Sequence, residues 1–149
     1  MKKLVVILML LSLLGCMENN YGEYLVNKEC RTQKNLFIKK VVVNEEETII
    51  DFEFVASSSK HNIGIFPPGH DMAFFITDIK NSNKYQLIDS ERIAIRPNSN
   101  KPKKGDTLKF QLTFESIPMN KFHIIEGKLP TETSVTWHFT NIKLDNKKT

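Results

Sequence analysis

Two cysteines, four histidines and a short run of lysines are the side chains of this 149-residue chain with chemistry to offer. Cys16 is the most distinctive by position. It follows the apolar run Leu4 to Leu11, then Ser12, Leu13, Leu14 and Gly15, and it precedes the polar stretch Met17-Glu18-Asn19-Asn20. A thiol at such a junction is a core residue, half of a disulfide or a chemical handle. Lys2 and Lys3 ahead of the apolar run complete the basic n-region and short h-region of a secretory signal. The stretch from Leu4 to Leu14 is eleven residues. As a helix it reaches about 16 Å, against roughly 30 Å of bilayer hydrocarbon, so it is too short to span.

The other candidates lie far downstream. If Cys16 is the handle, Cys30 is the single remaining thiol and no intramolecular disulfide can form, and Cys30 is then expected as a small, partly buried apolar residue. His61, His70 and Asp71 flank the loop "HNIGIFPPGHD" and have the donor atoms for zinc. Their spacing matches no familiar metal motif, and ordinary solvation of a loop explains them. His123 and His138 fall on adjacent expected strands, and surface positions are expected for both. Lys101, Lys103 and Lys104 make the segment 96–106 basic, suited to an acidic polysaccharide, lipid headgroup or protein. No G-x-S-x-G, H-E-x-x-H, C-x-x-C, dinucleotide or phosphate-loop pattern occurs. No catalytic residue, metal or cofactor is expected; the binding residues to consider are His61, His70, Lys101, Lys103 and Lys104.

The elements that would carry these groups read as strands. In Thr107 to Glu115, Leu108, Phe110, Leu112 and Phe114 alternate with Lys109, Gln111, Thr113 and Glu115, the period of a half-buried strand. On that parity, an acid at Phe110 or Leu112 should unfold the domain and Gln111→Asp should cost little. Ile50, Phe52 and Phe54 alternate with Asp51 and Glu53, and the acidic turn Asn44 to Glu47 joins them to a strand over Phe37 to Val43 as a hairpin. Met72 to Ile76 is apolar on both parities, which predicts a central strand covered on two sides. Further strands are expected at Lys84 to Ile88, Phe122 to Ile125 and Val135 to Leu144, with an apolar piece at Ile93 to Ile95. In the last strand Val135, Trp137 and Phe139 have one parity, while Ile142 and Leu144 have the other. A β-bulge near Thr140-Asn141 would bring both sets to the core. The segments 56–70 and 96–106 are long connections, where recognition is often placed.

The stretch Leu13-Leu14-Gly15-Cys16 resembles the bacterial lipobox: an apolar residue, a variable one, a small one, then cysteine. The resemblance implies diacylglycerol on the Cys16 thiol, cleavage after Gly15 and Cys16 as the mature N-terminus. Met17 in the next position, rather than aspartate, points to the outer membrane of a Gram-negative cell. The segment "FHIIEGKLPTETSVTWHFTNIKL", with Trp137, Phe139, Ile142 and Leu144, resembles the closing strands of immunoglobulin-like β-sandwich domains in bacterial envelope lipoproteins and accessory proteins. "GDTLKFQLTFESIP" fits the strand before them. This likeness covers under a third of the chain and implies fold and setting, with no catalytic residue; the inter-sheet cysteine pair of antibody domains is missing.

Removing residues 1–15 leaves 149 − 15 = 134 residues, enough for one domain. The signal holds two lysines and no acid, so 21 − 2 = 19 basic and 17 acidic side chains remain, a net charge near +2 that argues against nucleic acid. The expected organisation is a signal peptide over 1–15, a lipid-anchored tether over 16–35 leading into a first short edge strand, and an antiparallel immunoglobulin-like β-sandwich of seven to nine strands over 36–149. The expected function is a cell-envelope lipoprotein, held to the membrane through Cys16, that binds an envelope protein or glycan without catalysis. The alternative is a small envelope enzyme or enzyme inhibitor, which would require perturbed titratable groups converging in a cleft.

Overall fold

A computed structural model describes residues 19–128, 136–145, 147 and 148. The signal segment, Cys16 and Val135 therefore lie outside the described residues. Eight strands run in chain order: β1 (Gly22–Glu29), β2 (Leu36–Val43), β3 (Glu47–Val55), β4 (Phe74–Asp78), β5 (Lys84–Glu91), β6 (Thr107–Glu115), β7 (Lys121–Glu126) and β8 (His138–Lys143). The described residues contain no helix, and so none long and apolar enough to cross a membrane.

The strands form one antiparallel sheet in the order β1-β2-β3-β6-β5-β4-β7-β8. Its two margins meet. The Arg31 N–H donates to the His138 carbonyl at 2.8 Å, the Lys148 N–H donates to the Glu23 carbonyl at 2.7 Å, and Tyr24 bridges to Lys147. The sheet is thus nearly closed round a single core. Strand β5 takes part in both halves: Lys84 to Gln86 pair with β4, then Leu87 to Glu91 pair with β6, with Ile88 as the extra residue where the partner changes.

Inward parity does the packing. Phe52 of β3 stacks on Phe110 of β6 at 5.0 Å between ring centroids and meets the edge of Phe139 of β8 at 5.6 Å. Trp137 closes the cluster, 5.9 Å from Phe74 and 6.4 Å from Phe110. These contacts join β3 and β6 to β4 and β8 across the interior, which is what holds the curved sheet shut. Offset and edge-on ring pairs of this kind contribute roughly 0.5–1.5 kcal/mol each beyond area burial.

The expectation of an all-β antiparallel domain with seven to nine strands is met, with Thr107–Glu115 reproduced to the residue. The phase change in the last strand is a bulge: Phe122 pairs with Ile142 and Ile124 with Phe139, so β8 carries one extra residue, and Asn141 sits at φ 55°. Trp137, Phe139, Ile142 and Leu144 are all buried as a result. Strand β4 is buried on both parities, with Phe74 and Ile76 in the core and Phe75 and Thr77 under cover on the outer face.

Within the range 16–35, expected as a tether leading into a first short edge strand, β1 is that edge strand. β1 occupies most of that range and pairs along β2, Tyr24 and Cys30 are buried, and Asn20 donates from Nδ2 to the carbonyls of Ile117 and Met119 at 3.1 and 3.0 Å. Tyr24 and Val26 put apolar surface on an otherwise polar strand and hold β1 to the core. Strand direction then sorts the connections to two ends. Residues 19–21, 44–46, 79–83, 116–120, 144, 145, 147 and 148 gather at the entry end. Residues 30–35, 56–73 and 92–106 gather at the opposite, loop end, with the described parts of the β7–β8 connection.

Candidate functional site

The two long connections do not stand apart; they bond to each other along their length. Ile63 and Asn100 exchange both main-chain hydrogen bonds, at 2.9 and 2.7 Å. Farther along, the Ile65 N–H donates to the Ala94 carbonyl at 3.0 Å and the Arg96 N–H to the Ile65 carbonyl at 2.9 Å. The side chain of Asn100 caps the assembly by accepting from the Ala94 N–H at 2.7 Å. Gly64 makes this approach feasible: a Cβ there would lie 2.7 Å from the Asn98 carbonyl oxygen and 3.3 Å from that of Ala94. Buried Ile63 and Ile65 anchor the joined loops to the core, so the pair is a built surface rather than two free strands of chain.

Lys101, Lys103 and Lys104 are exposed on this surface. Their backbone is held: the Lys103 N–H donates to Asp106 Oδ2 at 2.9 Å and the Lys104 N–H to Ser59 Oγ at 3.0 Å. The structure therefore brings the lysine segment and the serine run together, side by side. It does not bring the histidines together as a ligand set. His61 packs its ring edge-on against Phe54 at 5.0 Å and lies 3.2 Å from Ser57 Oγ. His70 stacks on Phe66 at 4.5 Å and accepts the Met72 N–H on Nδ1 at 3.0 Å. Each ring shapes its own turn. Among the described residues no three His, Cys, Asp or Glu side chains converge as metal ligands.

Several residues at this end escape a sequence reading. Arg96 places its guanidinium 5.0 Å from the centre of the Phe66 ring, so Arg96, Phe66 and His70 form one cationic and aromatic patch. Glu126 is buried on the inner face, opposite Phe74 in register, and accepts the Trp137 N–H on Oε2 at 3.1 Å. Burial raises its proton affinity above the ordinary carboxylate range; the Trp137 hydrogen bond and the Arg96 charge pull the other way and do not cancel it. Parity could have found Glu126, since it continues the inward series Phe122, Ile124. No local signal marks Arg96.

His138 is corrected from surface to buried. It lies on the outer face, in register with Ile125, and the β1–β2 connection covers it. Thr32 accepts the His138 N–H at 3.1 Å and donates to the Thr136 carbonyl at 2.6 Å, while Cys30 Sγ sits 3.5 Å from the His138 carbonyl oxygen. Burial, with the Arg31 charge beside it, lowers the proton affinity of the ring. His123 is half-buried and accepts the Asn141 N–H at 2.9 Å, which supports the bulge.

The raised affinity of Glu126 has a sign that can be measured. The folded state holds that proton more tightly than the unfolded chain, so its contribution to stability is complete below the ordinary value and is lost as pH rises through the folded one. Glu126→Gln keeps an acceptor for the Trp137 N–H and removes the charge. The variant is expected to lose less thermal stability than the parent between pH 4 and pH 7, read from melting curves at both. An unchanged pH dependence would show that the carboxylate is not the group responsible.

The chain matches no protein-family model, no curated protein and no solved structure with which it was compared.

Proposed function

We propose that this is a lipid-anchored lipoprotein of the cell envelope, at the outer membrane of a Gram-negative cell, whose β domain binds an envelope protein or glycan through its loop end. One observation carries the reading: the chain enters the sheet at one end, while both long connections are bonded into a single basic and aromatic surface at the other. An anchor at Cys16 then presents that surface outward. The change of partner along β5 supports an immunoglobulin-like sandwich, because a strand that leaves one neighbour for another lets a sheet fold into two layers.

The buried groups with shifted proton affinity, Glu126 and His138, favour binding over catalysis. Glu126 faces inward and His138 outward, so the sheet itself lies between them and they form no acid–base pair. Strand addition by a partner is the less favoured mode, since the margin strands are bonded to each other towards both ends of the seam.

The test is capture of envelope components by the full lipidated protein. Changing Lys101, Lys103 and Lys104 to Gln is expected to weaken capture at low salt, with a shrinking difference at high salt where exposed charges are screened within roughly 10 Å. Stability should move by under about 0.5 kcal/mol, because the three side chains are exposed. Undiminished capture at low salt would remove the lysine segment from the binding surface.

A further inference from the structure

We infer that the entry end is a second interaction surface, one that seats the domain directly on anionic lipid headgroups. The inference rests on the proposed acylation of Cys16. Asn20 is already fixed, buried and bonded to the carbonyls of Ile117 and Met119. From residue 16 to residue 20 there are 20 − 16 = 4 steps, which span at most about 14 Å fully extended. An anchored domain therefore cannot hang far from the bilayer. Its entry end lies within one or two screening lengths of the headgroups, each about 8 Å at physiological salt. The loop end is farther out by the length of a nine-residue strand, about 30 Å, so Lys101, Lys103 and Lys104 do not sense lipid charge.

The side chains at the entry end suit that position. Ile79 is 48 % exposed and Tyr21 37 %, two of the few large apolar side chains so placed on the described surface. Ile79 shares one depression with Lys80, Met119 and Lys121, and a second with Lys121, Asn141 and Lys143. Lys121 and Lys143 are directly opposite each other in register. Like charges so placed on neighbouring strands oppose folding, which an anion lying between them would relieve. Lys143 is offset by Asp145 at 3.3 Å, and neither Lys80 nor Lys121 makes an ion pair among the described residues. Asp78 is the other acid here, and its carboxylate is turned to the loop by bonds from the Ser82 N–H and hydroxyl and the Asn83 amide. Glu45 and Glu46 in the β2–β3 turn and Glu47 on β3 are at the same end, separated from β4 by β6 and β5; Glu115 on β6 is separated from β4 by β5 and accepts the Gln86 N–H at 2.8 Å, and Glu23 is paired with Lys148 at 3.3 Å. Lysines thus dominate the β4–β7–β8 side of the entry end, and a domain seated on that side of its entry end meets anionic lipid with lysines and an isoleucine, the glutamates lying on the other strands. Aliphatic and tyrosine side chains among lysines are the composition that enters a headgroup layer.

The experiment places a nitroxide label at Ile79→Cys and, as a reference at the loop end, at Lys60→Cys, in the full lipidated protein on vesicles of phosphatidylcholine with or without phosphatidylglycerol. Cys30 is buried and Cys16 is consumed by acylation, so the introduced thiol is the reactive one. On the anionic vesicles the label at position 79 is expected to lose collisions with a water-soluble relaxation agent, while the label at position 60 keeps them. Changing Lys80, Lys121 and Lys143 to Gln should restore collisions at position 79 without releasing the protein from the vesicle. Equal exposure of the two positions on a vesicle-bound protein overturns the seat and leaves the anchor standing. Equal protection at position 79 on neutral vesicles overturns the assignment of anionic lipid. A protein whose Cys16 carries no acyl group by mass spectrometry overturns the anchor and the seat together.

Discussion

Phe110→Asp is expected to abolish the cooperative melting transition of the domain, leaving it unfolded at room temperature. Phe110 is buried in a cluster of aromatic rings, stacked on Phe52 at 5.0 Å and close to Trp137. Deleting such a ring alone costs about 3–5 kcal/mol. Burying an unpaired carboxylate or its neutral acid adds several more, against a total of about 5–15 kcal/mol for a domain of this size. Lys109→Ser on the same strand is the control, since Lys109 is exposed and its ion pair with Glu53 is long at 3.9 Å. That change should move stability by under about 0.5 kcal/mol. Similar melting curves for the two variants would mean that β6 is not half-buried.

Cys16→Ser is expected to release the protein from the membrane almost completely. A serine hydroxyl cannot form the thioether, and the anchoring energy, about 0.8 kcal/mol for each buried CH₂, is lost as a whole. Fractionation of the envelope, with mass spectrometry of the N-terminal peptide, reads the outcome. An unmodified N-terminus at any residue other than Cys16 in the parent protein would end the lipoprotein reading.

What could be read from the sequence was parity, and what could not was partnership. β3 and β6 alternate cleanly because one face of each meets the core and the other meets water, and the bulge in β8 is visible as a break in that alternation. Gln111 shows the limit. Its outward parity predicts that Gln111→Asp is harmless, but register sets it opposite Asp51, and its Nε2 donates to Asp51 Oδ1 at 2.7 Å. An aspartate there would face a carboxylate, so tolerance is no longer expected. The burial of His138 and the joining of segments 56–70 and 96–106 share this origin: each depends on chain brought from tens of residues away. Glu126 is a different case, since its inward parity was in the sequence and only its polar character hid it.

The seam between the first and last strands also sets a schedule. β1 is made before β8, and 138 − 31 = 107 residues separate Arg31 from His138, so at about 5–20 residues per second it takes seconds before the two can meet. Until then the barrier to completing the domain is synthesis itself, and the unclosed β1 margin shows Glu23, Lys28 and Glu29, charges of the kind that discourage pairing with a stranger. A chain truncated before His138 would keep both margins open and be the form most prone to aggregate.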